Sequence, residues 1–247
     1  MNLKGKLIAF FILTVILLFT WLMIQNRSAK SYIYSDFGVN VPEEYQLLGL
    51  DVSHYQGDIN WAQVDSMKID GDSLEFVFIK CTEGTSLQDK KCGENVEGAE
   101  KSDLDFGLYH FFHIDLNATK QADFFSEEIA GYNFSLKPVI DVELRGNFTK
   151  EKLIDSVNVF LNQVEKNTSV RPIIYTNENF YLDYFKDSYL KNEFFWIANY
   201  NGECASMKNE NVLIWQFSES GTVNGISGKV DLNVAKPEFR DMIKRSI

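Results

Sequence analysis

Short apolar runs alternate with segments of helical periodicity along most of this chain. Such a run, rich in β-branched and aromatic residues and bounded by polar ones, is typical of a buried strand. We predict seven strands, at residues 47–52, 76–80, 107–112, 138–142, 172–175, 194–198 and 212–217. The clearest helix is predicted over residues 150–166, where apolar side chains recur at 3.6-residue spacing and Thr149 can cap the N-terminus.

Strands that alternate with helices favour parallel pairing, and seven or eight such units predict a closed α/β barrel of the TIM type. Polar and aromatic residues recur where the predicted strands end. They are Asp51, Thr82, Glu83, His110, Phe112, Asp141, Glu143, Tyr175, Asn199, Tyr200 and Gln216. Because the carboxyl ends of parallel barrel strands meet on one face, we expect these residues to converge on one cleft. Acids and aromatic rings together favour a sugar ligand.

Asp141 and Glu143 are the most informative of these residues. Alternate side chains of a strand point the same way, so the two carboxyl groups would lie roughly 7 Å apart on one face. Each charge disfavours ionisation of the other, so one acid can keep its proton near neutral pH, as glycoside hydrolysis requires. From the pattern alone, a solvated strand end and a metal-binding pair remain open alternatives.

The first thirty residues are predicted to lie outside the folded domain. Lys4 and Lys6 precede an uncharged stretch over residues 7–24. As a helix this stretch would be roughly 27 Å long, close to the thickness of a bilayer core. We therefore expect residues 1–30 to form a cytoplasmic stub and membrane anchor, residues 31–46 a linker, and residues 47–247 an extracytoplasmic catalytic domain. A cleaved secretory signal ending near Ala29, which would release the domain, is the alternative.

The net charge of the chain narrows its possible partners. The chain carries −11, and residues 1–30 contain four basic and no acidic side chains, so the remainder carries −15. An acidic domain of this kind argues against nucleic acid as a partner.

Cys81 and Cys92 are close enough in sequence to form a disulfide in an oxidising compartment, although buried core thiols are an equal alternative, and Cys204 would remain unpaired.

Five motifs occur in an order that resembles the glycoside hydrolase family 25 lysozymes, the muramidases of the Chalaropsis type. They are GLDVSHYQG at residues 49–57, FIKCTEGT at 78–85, GLYHF at 107–111, PVIDVE at 138–143 and IWQF at 214–217. The resemblance spans residues 47 to about 235. It implies an irregular, flattened β/α barrel that cleaves the β-1,4 bond between N-acetylmuramic acid and N-acetylglucosamine in peptidoglycan.

The resemblance also implies roles for individual residues. Glu143 matches the general acid, Asp141 matches its substrate-orienting and electrostatic partner, and Asp51 and Asp231 match two further acids of the cleft. The candidate substrate contacts are Glu83, Tyr109, Tyr175, Trp196, Tyr200 and Gln216. We expect no cofactor, no metal site and a monomer that binds peptidoglycan strands. A catalytically silent glycan-binding module and a metal-dependent polysaccharide deacetylase are the alternative functions.

Overall fold

An eight-stranded barrel forms the body of the protein. The computed structural model describes residues 14, 31–34, 39–202 and 204–241. Its strands are β1 (Ser31–Tyr34), β2 (Val39–Pro42), β3 (Leu47–Val52), β4 (Lys68–Ile69), β5 (Asp72–Glu83), β6 (Leu87–Gln88), β7 (Asp105–Phe111), β8 (Val139–Asp141), β9 (Ile173–Asn177), β10 (Phe195–Ala198), β11 (Val212–Gly221) and β12 (Val230–Ala235). The barrel order is β3, β5, β7, β8, β9, β10, β11 and β12, and β12 pairs with β3 to close it.

The closing strand differs from the expected all-parallel arrangement. Strands β3, β5, β7, β8, β9, β10 and β11 pair in parallel, as predicted. Strand β12, which was not among the seven predicted strands, pairs antiparallel with both β11 and β3. Its first residues therefore lie at the same end of the barrel as the last residues of the other seven strands.

Helices cover the outside of the barrel. They are α1 (Trp61–Asp65), α2 (Cys92–Glu100), α3 (Ala118–Ile129), α4 (Lys150–Thr168), α5 (Glu178–Phe180, continued by a π-helical turn over Tyr181–Phe185) and α6 (Glu238–Asp241), with 3₁₀ turns at His54–Gln56 and Ala205–Lys208. Helix α4 confirms the predicted helix, and the Thr149 hydroxyl accepts a hydrogen bond from the Lys152 backbone N–H at 3.3 Å as its N-cap. Its apolar face belongs to the same buried cluster as Val77 and Ile79 of β5.

The alternate positions of the strands point into the barrel and form a second, smaller core. Phe76, Phe78 and Trp196 are among its largest members, and the Phe78 and Trp196 rings stack with centroids 4.7 Å apart. Glycines on the neighbouring strands make room for these rings. A Cβ atom at Gly49 or Gly107 would lie 2.5 Å from the ring of Phe76 or Phe78, respectively. Bulky side chains thus fill the end of the barrel where the parallel strands begin. The other end, where these strands stop, is left to polar residues.

The segment expected to be a linker is partly built into the domain. Strands β1 and β2 form an antiparallel pair, and Val39, Val41 and Tyr45 are buried in the outer core. The Tyr45 hydroxyl donates to the Val212 carbonyl at 2.8 Å. These apolar side chains pack on the outside of the barrel and cover surface that would otherwise contact water.

The predicted membrane anchor falls on residues that, apart from Thr14, lie outside the described part of the chain. Within that part, none of the helices combines the length and apolar content needed to cross a bilayer.

Candidate active site

A cleft of about 280 Å³ opens at the carboxyl ends of the parallel strands. It brings together most of the residues that the sequence analysis selected. The predicted residues that line it are Asp51, Asp141, Glu143, Asp231, Tyr109, Tyr175, Trp196 and Tyr200. Each belongs to the inward-facing series of its strand, or to the continuation of that series just beyond the strand.

Asp51 lies at the floor of the cleft, where it is only 8% exposed. Its Oδ2 atom accepts hydrogen bonds from the side-chain amides of Gln216 and Asn233, both at 2.8 Å. Burial raises the pKa of Asp51 from 3.8 to about 6, although these two hydrogen bonds favour the charged form and oppose the rise.

Asp231 faces Asp51 directly across the β12–β3 pairing. The two carboxyl groups are hydrogen-bonded to each other, and burial together with the charge of Asp51 raises the pKa of Asp231 to about 8. At neutral pH this pair therefore holds one proton and one negative charge, with Asp231 as the donor and Asp51 as the acceptor. The antiparallel direction of β12 is what brings Asp231 to this end of the barrel.

Asp141 and Glu143 come from the end of β8, which lies across the barrel from β3 and β12. Burial raises the pKa of both carboxyl groups; the charge of Glu143 adds to the effect on Asp141, and the charge of Asp51 adds to the effect on Glu143. The charge of Lys80 opposes both rises. Asp141 is 7% exposed, and its Oδ1 atom has no hydrogen-bond partner in the protein.

The backbone that carries Glu143 is fixed by the neighbouring strand β9. The Val142 N–H donates to the Tyr175 carbonyl at 2.9 Å, and the Thr176 hydroxyl donates to the Val142 carbonyl at 2.7 Å. The Tyr175 hydroxyl contacts both the Glu143 carboxyl group and the Gln216 amide oxygen, the latter at 2.9 Å. Its single proton can serve one of these acceptors at a time.

Aromatic rings form much of the remaining surface of the cleft. The Trp196 indole N–H donates to Asn233 Oδ1 at 2.8 Å, and the Tyr200 hydroxyl donates to Gln216 Oε1 at 2.6 Å. Tyr55, on the 3₁₀ turn after β3, adds an exposed ring at the rim. Buried amides therefore orient the Trp196 and Tyr200 side chains, and the exposed Tyr55 and Tyr200 rings are placed to stack against a sugar.

Two predicted substrate contacts do not line the cleft. Gln216 lies beneath it, where its amide contacts Asp51, Tyr175 and Tyr200. Glu83 instead accepts hydrogen bonds from Lys80 Nζ at 2.7 Å and from His113 Nε2 at 3.0 Å. Both residues lie behind the cleft, where protein groups already occupy their polar atoms, and their role as substrate contacts stays a prediction.

Several polar residues of the site were not among the predicted ones, and three of them come from the barrel strands. Lys80 and Glu219 line the cleft, and Asn233 holds Asp51 and Trp196 from below. Strand alternation would have found two of them, since Lys80 lies two residues after the inward-facing Phe78 and Asn233 lies two residues after Asp231. Glu219 follows an irregularity in the register of β11, so alternation does not predict its direction.

The histidines occupy structural positions. His110 is fully buried, its Nδ1 lies 2.7 Å from the Thr82 hydroxyl, and burial lowers its pKa to about 3. His54 Nδ1 lies 2.6 Å from Asp89 Oδ2. Across residues 39–202 and 204–241, no group of three or more histidine, cysteine, aspartate or glutamate side chains is placed to hold a metal ion.

Comparisons with known proteins agree with this architecture. The sequence model of Glycosyl hydrolases family 25 matches residues 50–226. The uncharacterized protein YegX of Escherichia coli K12 is 35% identical over 80% of this chain and 72% of its own length. The autolytic lysozyme of Clostridium acetobutylicum is 31% identical over 75% of this chain and 54% of its own length.

Solved structures lead to the same family. The structure of a family 25 glycosyl hydrolase from Bacillus anthracis superimposes with a TM-score of 0.71 and 30% identity, covering 82% of this chain and 96% of that one. The family match extends over most of the barrel, including the strands that carry Asp51, Asp141 and Gln216. The chain therefore belongs to glycosyl hydrolases family 25, as its five motifs predicted, and it is a glycoside hydrolase.

Proposed function

We propose that this enzyme is a peptidoglycan N-acetylmuramidase that cleaves the β-1,4 bond between N-acetylmuramic acid and N-acetylglucosamine. The observation that carries the proposal is the cleft itself, in which two pairs of carboxyl groups with raised pKa values lie among aromatic rings. Relatives of this chain include an autolytic lysozyme, and the order of the motifs favours the same substrate.

Glu143 is the proposed general acid. A glycosidic oxygen is a poor leaving group, so its departure requires a group that still carries a proton near neutral pH. Burial and the nearby charge of Asp51 raise the pKa of Glu143 and preserve that proton. When the proton has been transferred, a hydrogen bond from Tyr175 and the charge of Lys80 stabilise the carboxylate that remains.

Asp141 is the proposed partner that orients the substrate. Asp141 lines the cleft, and the protein leaves its buried Oδ1 atom without a hydrogen-bond partner, so its carboxyl group has capacity to accept the N–H of a substrate acetamido group. That contact would place the acetamido oxygen towards the anomeric carbon, where it can act as the nucleophile of a retaining reaction. The spacing of two residues along one strand leaves the stereochemical course open, so it must be measured.

The Asp51–Asp231 pair has a different proposed role. With one shared proton, the pair presents a single negative charge at the floor of the cleft. An anionic group stabilises the oxocarbenium-like transition state, while the proton prevents the larger repulsion of two ionised acids. Gln216 and Asn233 keep that charge on Asp51 in place through the hydrogen bonds to its Oδ2 atom.

Replacement of Glu143 by Gln tests the assignment. We expect the release of reducing ends from purified peptidoglycan to fall about 10²–10⁴-fold, because the amide has no proton to transfer. Glu127→Gln, at an exposed position of α3, is the matched control and should retain wild-type activity. Unchanged activity of Glu143→Gln would refute its role as the acid.

The specificity is tested by mass spectrometry of the products. A muramidase leaves N-acetylmuramic acid at the new reducing end. N-acetylglucosamine at that end would contradict the proposed bond, and release of free acetate would indicate a deacetylase. Wild-type protein that binds glycan fragments without cleaving them would instead indicate a silent binding module.

We also propose that residues 7–24 tether the catalytic domain to a membrane, with the domain on the extracytoplasmic side. The uncharged length of this stretch supports the proposal. The chain should then remain with membranes after alkaline extraction, and protease added outside spheroplasts should digest the domain. Recovery of a soluble chain that begins near Ser31 would indicate cleavage after Ala29 instead.

A further inference from the structure

Two of the three cysteines lie against each other behind one wall of the cleft. Cys81 occupies an outward-facing position of β5, and Cys92 is the first residue of α2. Both side chains are fully buried, and their thiol groups are in hydrogen-bond contact. The backbone draws the two positions together, because the Asp89 N–H donates to the Cys81 carbonyl at 2.8 Å and the Cys92 N–H donates to the Asp89 carbonyl at 3.0 Å.

The segment between these cysteines supports the cleft. Asp89, within it, is buried, and its Oδ2 atom accepts the His54 backbone N–H at 3.2 Å as well as contacting the His54 ring. The His54 ring packs against Tyr55, with centroids 4.2 Å apart, and Tyr55 lines the cleft. A covalent bond that restrains residues 81–92 would therefore also restrain the part of the cleft that carries Tyr55.

We propose that Cys81 and Cys92 form a disulfide when the domain folds in an oxidising compartment, and that this bond locks the 81–92 loop behind the cleft. The proposal is independent of the catalytic assignments and rests on geometry and on export of the domain. Cys204 lies elsewhere in the fold, beside Glu178, and takes no part in the bond.

The chemistry is two-step thiol–disulfide exchange with a disulfide oxidant such as glutathione disulfide. One cysteine thiolate attacks the oxidant, forms a mixed disulfide and releases one glutathione thiolate. The second cysteine thiolate then attacks the protein sulfur of that mixed disulfide, which forms the Cys81–Cys92 bond and releases the second glutathione thiolate. The two cysteines lose two protons and two electrons, and the oxidant gains the two electrons.

The exchange must precede complete burial of the loop. In the folded chain, contact with Cys92 and burial raise the pKa of the Cys81 thiol, which suppresses the reactive thiolate. Once formed, the bond restricts the unfolded chain, so the oxidised protein should melt about 6–12 °C above the reduced protein.

Tryptic mapping provides a direct test, because Lys90 and Lys91 separate the two cysteines. The full-length chain is folded with a mixture of oxidised and reduced glutathione, alkylated under denaturing conditions and digested without reduction. Trypsin then releases Cys81 in peptide 81–90, Cys92 in peptide 92–101 and Cys204 in peptide 192–208. We expect peptides 81–90 and 92–101 to be joined, at the sum of their masses less two hydrogen atoms, and peptide 192–208 to be alkylated.

Thermal melting with and without reductant provides the second measurement. The Tm of wild type and of Cys204→Ala should fall by about 6–12 °C when reductant is added. The Tm of Cys92→Ala should not change with reductant, because this variant cannot form the bond. Alkylated Cys81 and Cys92 in the oxidised, folded wild type would overturn the proposal, as would a bond to Cys204. The map needs no variant, so misfolding of Cys92→Ala would not obscure the answer. Hydrolytic activity, measured separately, distinguishes failure of this proposal from failure of the catalytic one.

Discussion

Replacement of Asp231 by Asn should change how the stability of the domain depends on pH. In the folded protein the pKa of Asp51 is raised from 3.8 to about 6 and that of Asp231 from 3.8 to about 8. The folded chain therefore holds protons that the unfolded chain has already released. A carboxyl group whose pKa is higher in the folded than in the unfolded chain contributes its full stabilisation of the fold below the unfolded pKa of 3.8. This contribution is lost as the pH rises through the folded pKa.

Asp51, which is almost fully buried, sets the loss of stability that wild type and variant share. Its pKa rises by about two units, which corresponds to about 3 kcal/mol of unfolding free energy at roughly 1.36 kcal/mol per unit. For a domain of this size, that is about 6–12 °C in Tm. Asp231 changes the stability in the same direction and extends the loss towards pH 8.

The asparagine removes the second titrating group, so the variant keeps only the Asp51 contribution. The variant should therefore complete its loss of stability near the pKa of Asp51, about 6, whereas the wild type continues to lose stability towards pH 8. Between pH 5 and pH 8 only the wild type also loses the Asp231 contribution, about 4 kcal/mol at roughly 1.36 kcal/mol per pH unit, so we expect the Tm of Asp231→Asn, relative to wild type, to rise by about 8–16 °C. The amide can still donate a hydrogen bond to Asp51, so the geometry of the pair is largely kept.

Thermal melts from pH 4 to pH 9 at constant ionic strength measure this difference. Asp187→Asn, an exposed acid that does not line the cleft, is the matched control and should follow the wild-type curve. Parallel curves for wild type and Asp231→Asn across this range would refute the shared proton between Asp51 and Asp231.

Three further substitutions test the cleft and the barrel. Lys80→Met removes a charge that lowers the pKa of Glu143, so the pH profile of kcat/KM should move to higher pH by about one unit. Gly107→Ala places a Cβ atom 2.5 Å from the Phe78 ring, so urea unfolding should show a loss of about 1–3 kcal/mol. Tyr55→Ala removes an 81%-exposed ring from the rim, so KM for glycan fragments should rise about tenfold with little change in Tm.

Each of these has a control of the same residue type. Lys91→Met alters a surface ion pair with Asp58 and should leave the pH profile in place. Gly131→Ala places its Cβ atom in open space and should be neutral. Tyr189→Ala removes another exposed ring and should not change KM. A pair in which test and control behave alike would contradict the corresponding interpretation.

The sequence by itself determined the local elements and the identity of the acids. Alternation over residues 76–80 and 3.6-residue spacing over residues 150–166 are imposed by backbone geometry, so the strand and the helix could be predicted without tertiary information. Asp141 and Glu143 were paired for the same reason, since two residues apart on a strand means one face. The predicted strand and helix boundaries differ from the observed ones by a few residues, because tertiary pairing decides where an element ends.

Only the tertiary structure decided which distant groups share a proton or a charge. Asp51 and Asp231 are 180 residues apart, and they meet because β12 closes the barrel in the antiparallel direction. Local residue preferences do not encode strand direction, which depends on how the whole sheet closes. Glu83 was selected as a substrate contact because it ends a strand, yet the fold turns it towards Lys80 and His113. Local periodicity therefore supplied the catalytic candidates, whereas barrel closure determined their burial, their partners and hence their pKa values, because electrostatic interactions depend on distances in space.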